Sequence, residues 1–242
     1  MSVGKNGRTL VVMPTLNERL LFEGVMQGIA ALDIDKDSLH VLLVDDDSQD
    51  QTWRNYGTHW AAEDARFYLM RRTGRFKGQG SALKDAIGWA VDHENQYEYL
   101  AVIAGNQTDD PAFLPAMIGK LEAGADVVVA QRSEQPGGEA GSPRRIAPVM
   151  SRLAAGVPFT DVESGYRAFR IEALQKLPYT KLKRVDQGVK LELLARAKRA
   201  GLRLDTVDVP LIPRGPQCEF RGGTTGFVGA KLLWIKRTLG LL

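Results

Sequence analysis

Short apolar runs rich in β-branched residues alternate with segments of helical period along the first 132 residues, and this alternation most limits what the chain can fold into. "TLVVMP", "HVLLVDDDS", "RFYLMRR", "EYLAVIAG" and "ADVVVAQR" read as five strands. Each is four to eight apolar or aromatic residues long and stops at a proline, an acid, a base or a glycine, as buried parallel strands do. Between them lie helical candidates, beginning with "TLNERLLFEGVMQGIAAL", where Leu21, Val25, Gly28, Ile29 and Leu32 share one face. "QDQTWRNYGTHWAA", "GSALKDAIGWAVDH" and "PAFLPAMIGKLEAG" follow. Strand and helix in strict succession with short connections predict an α/β, Rossmann-like, mostly parallel sheet flanked by helices.

Ligands of such sheets sit beyond the carboxyl ends of the strands. The polar residues of interest fall there: Pro14 to Glu18, Asp45 to Ser48, Arg71 to Gly80, Gly105 to Asp110, and Gln131 with Arg132. After Gln131 the rhythm breaks. "QRSEQPGGEAGSPRR" reads as a mobile loop, followed by a helix "IAPVMSRLAAGV", the segment "FTDVESGYRAFRIEAL", a helix "QGVKLELLARAKRAG", a strand "RLDTVDVPLIP" and an apolar, basic tail. With no second βαβ series, 242 residues are expected to form a single compact domain of two halves, residues 1–132 and residues 133–242, the second carrying its own polar motifs.

Charge narrows the partners. The formal net charge is only +3, yet Lys and Arg gather at 71–77, 131–145, 181–184, 196–203 and 231–237. Phosphates or lipid headgroups fit such clusters better than nucleic acid, because no aromatic-interleaved basic motif accompanies them. Cys218 is the single cysteine, so neither a disulfide framework nor a cysteine metal site is expected. A cytoplasmic location follows as the default: no signal peptide is seen, and no apolar run approaches the roughly 18 residues of a membrane span. The tail "GFVGAKLLWIKRTLGLL" mixes large apolar residues with Lys231, Lys236 and Arg237. It suits peripheral contact with a membrane surface, or packing on the core or on a second subunit of a homo-oligomer.

"LLVDDDSQDQT" puts Asp45, Asp46 and Asp47 at a strand end, with Ser48 or Asp50 available to cap the next helix. A carboxylate there can accept hydrogen bonds from ribose hydroxyls or a base N–H. Taken alone, the three acids also suit a receiver domain or an aspartate-nucleophile phosphatase. Combined with "VVMPTLNE", they resemble the opening of family-two glycosyltransferases of the GT-A fold, in particular the branch containing dolichyl-phosphate mannose synthase. The Pro-Thr-X-Asn-Glu element of that family is matched by Pro14, Thr15, Leu16, Asn17 and Glu18, and its Asp-Asp-X-Ser-X-Asp-X-Thr element by Asp45 to Thr52. "DVVVAQR" looks like the family's strand ending in an arginine, "TDVESGYRAFR" like its Thr-Asp-X-X-Ser-Gly-Phe-Arg block, and "VKLELLARAKRAG" like its Glu-bearing helix.

The resemblance implies an inverting transferase that takes a sugar from a nucleotide-diphosphate donor to a polyprenyl phosphate or a small hydroxyl-bearing acceptor. A catalytically silent nucleotide-sugar-binding protein is the alternative. Glu18 and Asp45 would hold base and ribose, with Pro14, Thr15, Asn17 and Asp46 near them. Gly78 and Gly80 would allow backbone approach, and Arg75 or Lys77 would reach phosphate. Arg132 would join the donor side; Ser164, Gly165 and Arg167 would form the acceptor-side block. Of the carboxylates Asp161, Asp186 and Glu192, Glu192 is the expected base for a hydroxyl acceptor.

One element departs from the family pattern. An Asp-X-Asp signature that binds Mg²⁺ or Mn²⁺ against the donor's phosphates is replaced by Ala104, Gly105 and Asn106. Asn106 offers a carbonyl oxygen without charge. Asp110, before Pro111, reads as a helix N-cap, which leaves Asp109 as the nearer stray ligand. A fixed cation can stabilise a departing diphosphate in place of a metal. Lys190 stands where relatives carry a Gln, two residues before Glu192, and Arg132, Arg144 and Arg145 could add to it.

Overall fold

The structure is a computed structural model and describes residues 7–74, 77–93, 96–132, 156–157, 159, 161–182 and 188–213. Arg75, Arg144, Arg145, Asp186, Cys218, the glycine- and proline-rich loop after Arg132 and the apolar tail lie outside the described residues.

In order along the chain stand β1 (Thr9–Thr15), α1 (Phe22–Ala30), β2 (Leu39–Asp45), α2 (Thr52–Tyr56), β3 (Phe67–Arg71), α3 (Gln79–Asp92), β4 (Tyr99–Val102), α4 (Leu114–Glu122), β5 (Val127–Arg132), β6 (Arg167–Arg170), α5 (Ile171–Lys176), α6 (Val189–Arg199) and β7 (Leu204–Val209). They build one seven-stranded sheet in the order β3-β2-β1-β4-β6-β5-β7. All pairings are parallel except those of β6, which runs antiparallel between β4 and β5 with Tyr99 opposite Arg170 and Val127 opposite Phe169. A strand from the second half of the chain thus separates two strands of the first, and the two halves share one sheet.

Both faces of this sheet are covered, which is why its strands are apolar at successive positions rather than at alternate ones. Leu10 and Val12 of β1 point into the core shared with α3, α5 and α6, while Val11 and Met13 point into the core shared with α1 and α4. The face expected of α1 is the one that packs: Leu21, Val25 and Ile29 are buried and Leu32 packs against the same cluster. Gly28 leaves room for Pro111, whose ring carbon would lie 2.9 Å from a Cβ added there. β6 has only four residues, "RAFR", and no long apolar run marks it. Helix α2 passes into a single π-helical turn over Gly57–Ala61.

Because every strand but β6 runs the same way, the β1–α1, β2–α2, β3–α3 and β4–α4 loops and the end of β5 gather at one rim. That rim is the carboxyl end expected to carry the site.

Candidate active site

The floor of the site is two loops sewn together. Asn17 N–H donates to Ser48 Oγ at 2.9 Å, Glu18 N–H to Thr52 Oγ1 at 3.1 Å, and Arg19 N–H to Asp50 Oδ2 at 2.8 Å. In return Gln49 N–H donates to Asn17 Oδ1 at 2.9 Å. Asn17 and Asp47 both adopt left-handed backbone, with φ of 57° and 66°, a conformation Asn and Asp tolerate better than most residues. The helix-capping duty falls to Asp50, whose Oδ1 accepts from Thr52 N–H at 2.9 Å and from Thr52 Oγ1 at 2.6 Å.

Asp45, fully buried, accepts from Ser48 N–H at 2.9 Å and from the Thr15 hydroxyl at 3.4 Å. Asp46 accepts from Gly78 N–H at 2.6 Å and pairs with Arg72. Gly78 carries φ of 122°, which only glycine adopts cheaply. Arg72 also reaches Asp85 at 2.7 Å and the Ser81 hydroxyl, so it ties β3, α3 and the acid loop into one hub. Arg72 lies in the stretch Arg71 to Gly80 expected at the rim; the signal for its particular role is its place just beyond β3, next to the register partner of Asp45. Lys77 is paired with Asp47 at 2.7 Å, and Arg71 with the same carboxylate at 3.1 Å while stacking over Trp53. The Lys77 hydrogen bond, then that of Arg71, holds the Asp47 carboxyl below its usual range.

Glu18 stands over the β4–α4 loop. A Cβ added to Gly105 would lie 2.6 Å from Glu18 Oε2 and 3.0 Å from the Thr15 methyl, so only glycine lets the two loops meet here. The rest of that loop is closed on itself. Asn106 Oδ1 accepts from Thr108 N–H at 3.2 Å and from the Thr108 hydroxyl at 2.6 Å, and Asp109 Oδ2 accepts from Ala104 N–H at 2.9 Å. Gln107 Nε2 donates to Leu21 O at 2.8 Å, and Asp110 caps the turn at Pro111 by accepting from Ala112 N–H.

These residues do not fit a divalent cation. Hard cations such as Mg²⁺ and Mn²⁺ need several oxygen ligands, carboxylates among them. Here the carbonyl of Asn106 serves Thr108, one oxygen of Asp109 serves Ala104, and among the described residues no group of three His, Cys, Asp or Glu side chains could hold a metal ion.

Arg132, expected on the donor side, and Asp161, one of the candidate base carboxylates, form a two-pronged ion pair, Nε to Oδ2 at 2.5 Å and Nη2 to Oδ1 at 2.8 Å. Arg167 is buried and donates to the carbonyls of Ser164 at 2.9 Å, Val162 at 2.7 Å and Lys190, so it binds the "VESGYR" turn to the start of α6. Loss of water pushes its guanidinium down to about 9. Ser164 is buried beside it, its hydroxyl 3.5 Å from Tyr166 O.

Glu192 and Lys190 leave α6 on different sides, as residues two apart on a helix must. Glu192, buried, receives Arg196 at 2.7 Å. Lys190 turns toward the sheet rim. Its Nζ would lie 3.1 Å from a Cβ added to Gly165, and it lines one crevice with Pro14, Gln79 and Gly165. Lys190 and Arg132 both draw the Asp109 carboxyl toward its ionised form, but burial outweighs them and raises it above the usual range. Lys190, Gly165, Asp109, Arg132, Asp161 and Pro14 therefore share one neighbourhood, and Glu192 belongs to another.

Known proteins are similar to this chain over most of its length. The chain is 29% identical over 210 residues to a polyprenol monophosphomannose synthase of Mycolicibacterium smegmatis, covering 84% of this chain and 76% of the relative. It is 26% identical over 227 residues to an undecaprenyl-phosphate mannosyltransferase of Micrococcus luteus, covering 90% of each. The fold matches the crystal structure of glucosyl-3-phosphoglycerate synthase from Mycobacterium tuberculosis in complex with Mn²⁺, uridine-diphosphate and glucosyl-3-phosphoglycerate, with a TM-score of 0.66 and 21% identity over 96% of this chain and 78% of that one. The sequence profile of glycosyl transferase family 2 matches residues 10–180, and the chain is a member of that family, with a GT-A fold and the sugar-transferring activity that family membership carries.

Proposed function

We propose that this chain transfers a sugar from a nucleotide-diphosphate donor to a polyprenyl phosphate at a membrane surface, with inversion at the sugar carbon. The observation that carries the acceptor class is the state of Asp161 and Glu192, the two described carboxylates among the three expected as candidate bases, Asp186 lying outside the described residues. Asp161 is held by Arg132 and Glu192 by Arg196, so each is committed to a guanidinium. A hydroxyl acceptor would need a carboxylate to take its proton. A lipid phosphate arrives already ionised and asks for cations instead, and the two named relatives act on polyprenyl or undecaprenyl phosphate.

In this reading the interlocked loops of Pro14–Glu18 and Asp45–Thr52 hold the nucleoside, with Asp45 and Glu18 as its hydrogen-bonding carboxylates. Arg167 keeps the Ser164–Gly165 turn in register with α6. A phosphate oxygen of the acceptor attacks the sugar carbon, the carbon–oxygen bond to the diphosphate breaks, and its electron pair leaves with the nucleotide diphosphate. Among the described residues no helix is long and apolar enough to cross a membrane, so the lipid would be met from the surface.

The test is transfer itself. Purified protein with radiolabelled GDP-mannose or UDP-glucose and undecaprenyl phosphate in detergent should yield an organic-extractable, mild-acid-labile sugar phosphate. Transfer confined to soluble hydroxyl compounds would replace the acceptor, and nucleotide binding without transfer to either class would leave a binding protein.

A further inference from the structure

We propose that Lys190 holds the donor's diphosphate in this chain, seated by Gly165 and Asp109 and assisted by the amino end of α3, so that nucleotide binding requires no divalent cation. The inference rests on the donor reading above and adds to it the identity of the group that balances the phosphate charge.

Three independent features converge on it. The first is the closed loop. The three positions that the family pattern gives to a metal-binding signature are Ala104, Gly105 and Asn106, and the turn they form spends its oxygens internally, on Thr108 N–H, the Thr108 hydroxyl and Ala104 N–H. A cation arriving there would have to break those bonds, and among the described residues no group of three His, Cys, Asp or Glu side chains could hold it.

The second is the seat of Lys190. A Cβ added to Gly165 of the "SGYR" turn would lie 3.1 Å from Lys190 Nζ and 3.4 Å from Cε, so the lysine side chain passes close over this turn. The helix that carries Lys190 is fixed to the same turn by the buried Arg167, which donates to the Lys190 carbonyl and to those of Ser164 and Val162. The backbone of Lys190 is therefore fixed to the turn over which its side chain passes. Asp109 lies within electrostatic reach of the ammonium.

The third is the shared crevice. Pro14, one residue before the end of β1, and Gln79, the first residue of the fourteen-residue helix α3, line one narrow crevice with Lys190, its inner wall being Arg167 and the apolar side chains of Leu83, Val102 and Phe169. The amino end of a helix carries roughly half a positive charge. An ammonium with three rotatable donors beside such an end can follow a diphosphate as negative charge grows on its bridging oxygen. No proton needs to move: the electron pair of the breaking bond stays on the diphosphate, and Lys190 hydrogen-bonds to it.

Calorimetric titration with UDP and with GDP, in EDTA and in Mn²⁺, tests this without any turnover. Affinity in EDTA should fall less than tenfold below that in Mn²⁺. Lys190→Met, which keeps the aliphatic stem, should weaken binding more than tenfold in both media, and Lys190→Arg should restore most of it. The paired substitutions Ala104→Asp and Asn106→Asp should create a Mn²⁺ site visible by electron paramagnetic resonance that the unaltered protein lacks. Binding that collapses in EDTA, or a Lys190→Met protein that folds and binds as before, would overturn the inference while sparing the donor reading. Failure of both nucleotides to bind in either medium would overturn the donor reading and this inference with it.

Discussion

The side-chain carbonyl of Asn17 accepts the backbone N–H of Gln49 at 2.9 Å, while its own N–H donates to Ser48 Oγ at the same distance. One residue thus clasps the β1–α1 loop to the β2–α2 loop from both ends, in a left-handed backbone conformation with φ of 57°. Asn17→Ala removes the acceptor and strains the backbone, and should cost about 1 to 3 kcal/mol of stability. Asn17→Gly removes only the acceptor and should cost less. Urea unfolding of both proteins checks the order; equal losses would show that the backbone conformation contributes nothing.

Asp45 joins the same clasp through Ser48 N–H and Thr15. Asp45→Ala should weaken nucleotide binding by roughly 1 to 3 kcal/mol, the usual range for losing a charged hydrogen-bond partner. Because the carboxylate is fully buried, a comparable loss of stability should accompany it. A folded variant with unchanged affinity for UDP and GDP would remove Asp45 from the donor site.

Gly105 is the point of closest approach between the β4–α4 loop and Glu18. Gly105→Ala would put a methyl 2.6 Å from Glu18 Oε2 and must displace that carboxylate. Nucleotide affinity should drop several-fold, and because Glu18 Oε2 is buried against this loop some loss of stability should accompany it. Thermal melts beside calorimetric titration separate the two effects, and an unaltered affinity would show that Glu18 makes no contact with the nucleoside.

Tyr166 is the residue of the "SGYR" turn where the family pattern has Phe. Its hydroxyl is buried with no hydrogen-bond partner among the described residues, and burial pushes the phenol far above its usual range. Tyr166→Phe removes an unsatisfied polar group without changing the ring, so the melting temperature should stay or rise, by up to about 1 kcal/mol in free energy. A clear loss of stability would mean that the hydroxyl is satisfied.

His40 supplies a pH dependence. Its Nδ1 lies 2.8 Å from the Tyr97 hydroxyl, and burial, then the charges of Arg8 and Arg66, lower its basicity below the ordinary 6.5. The unfolded chain therefore takes up the proton first as pH falls. The contribution of His40 is complete above about pH 6.5 and is lost as pH falls through that value toward the folded pKa. Urea midpoints should drop more steeply between pH 7 and pH 5 in the unaltered protein than in His40→Gln. Parallel slopes would assign the acid sensitivity to other groups.

Much of this protein was legible in the chain as written. The alternation of apolar runs and helical periods determines the sheet, its strand direction and the rim where ligands gather, because these follow from local periodicity and from the handedness of βαβ connections. The motif residues at that rim, and the replacement of the metal signature by Ala104, Gly105 and Asn106, are likewise plain in the sequence. The insertion of β6 was not, since four residues that begin and end with arginine carry no periodic signal and a strand's neighbours are chosen by the sheet it completes. Partner choice was legible only in part. Helical spacing alone offers Arg196 to Glu192, four residues on, whereas only the packing of α6 brings Lys190 beside Gly165. Asn17, Ser48 and Thr52 read as ligand residues or caps, yet their bonds join loops about thirty residues apart. Such bonds depend on which strands lie side by side, and β1 next to β2 is a decision of the whole sheet rather than of either segment.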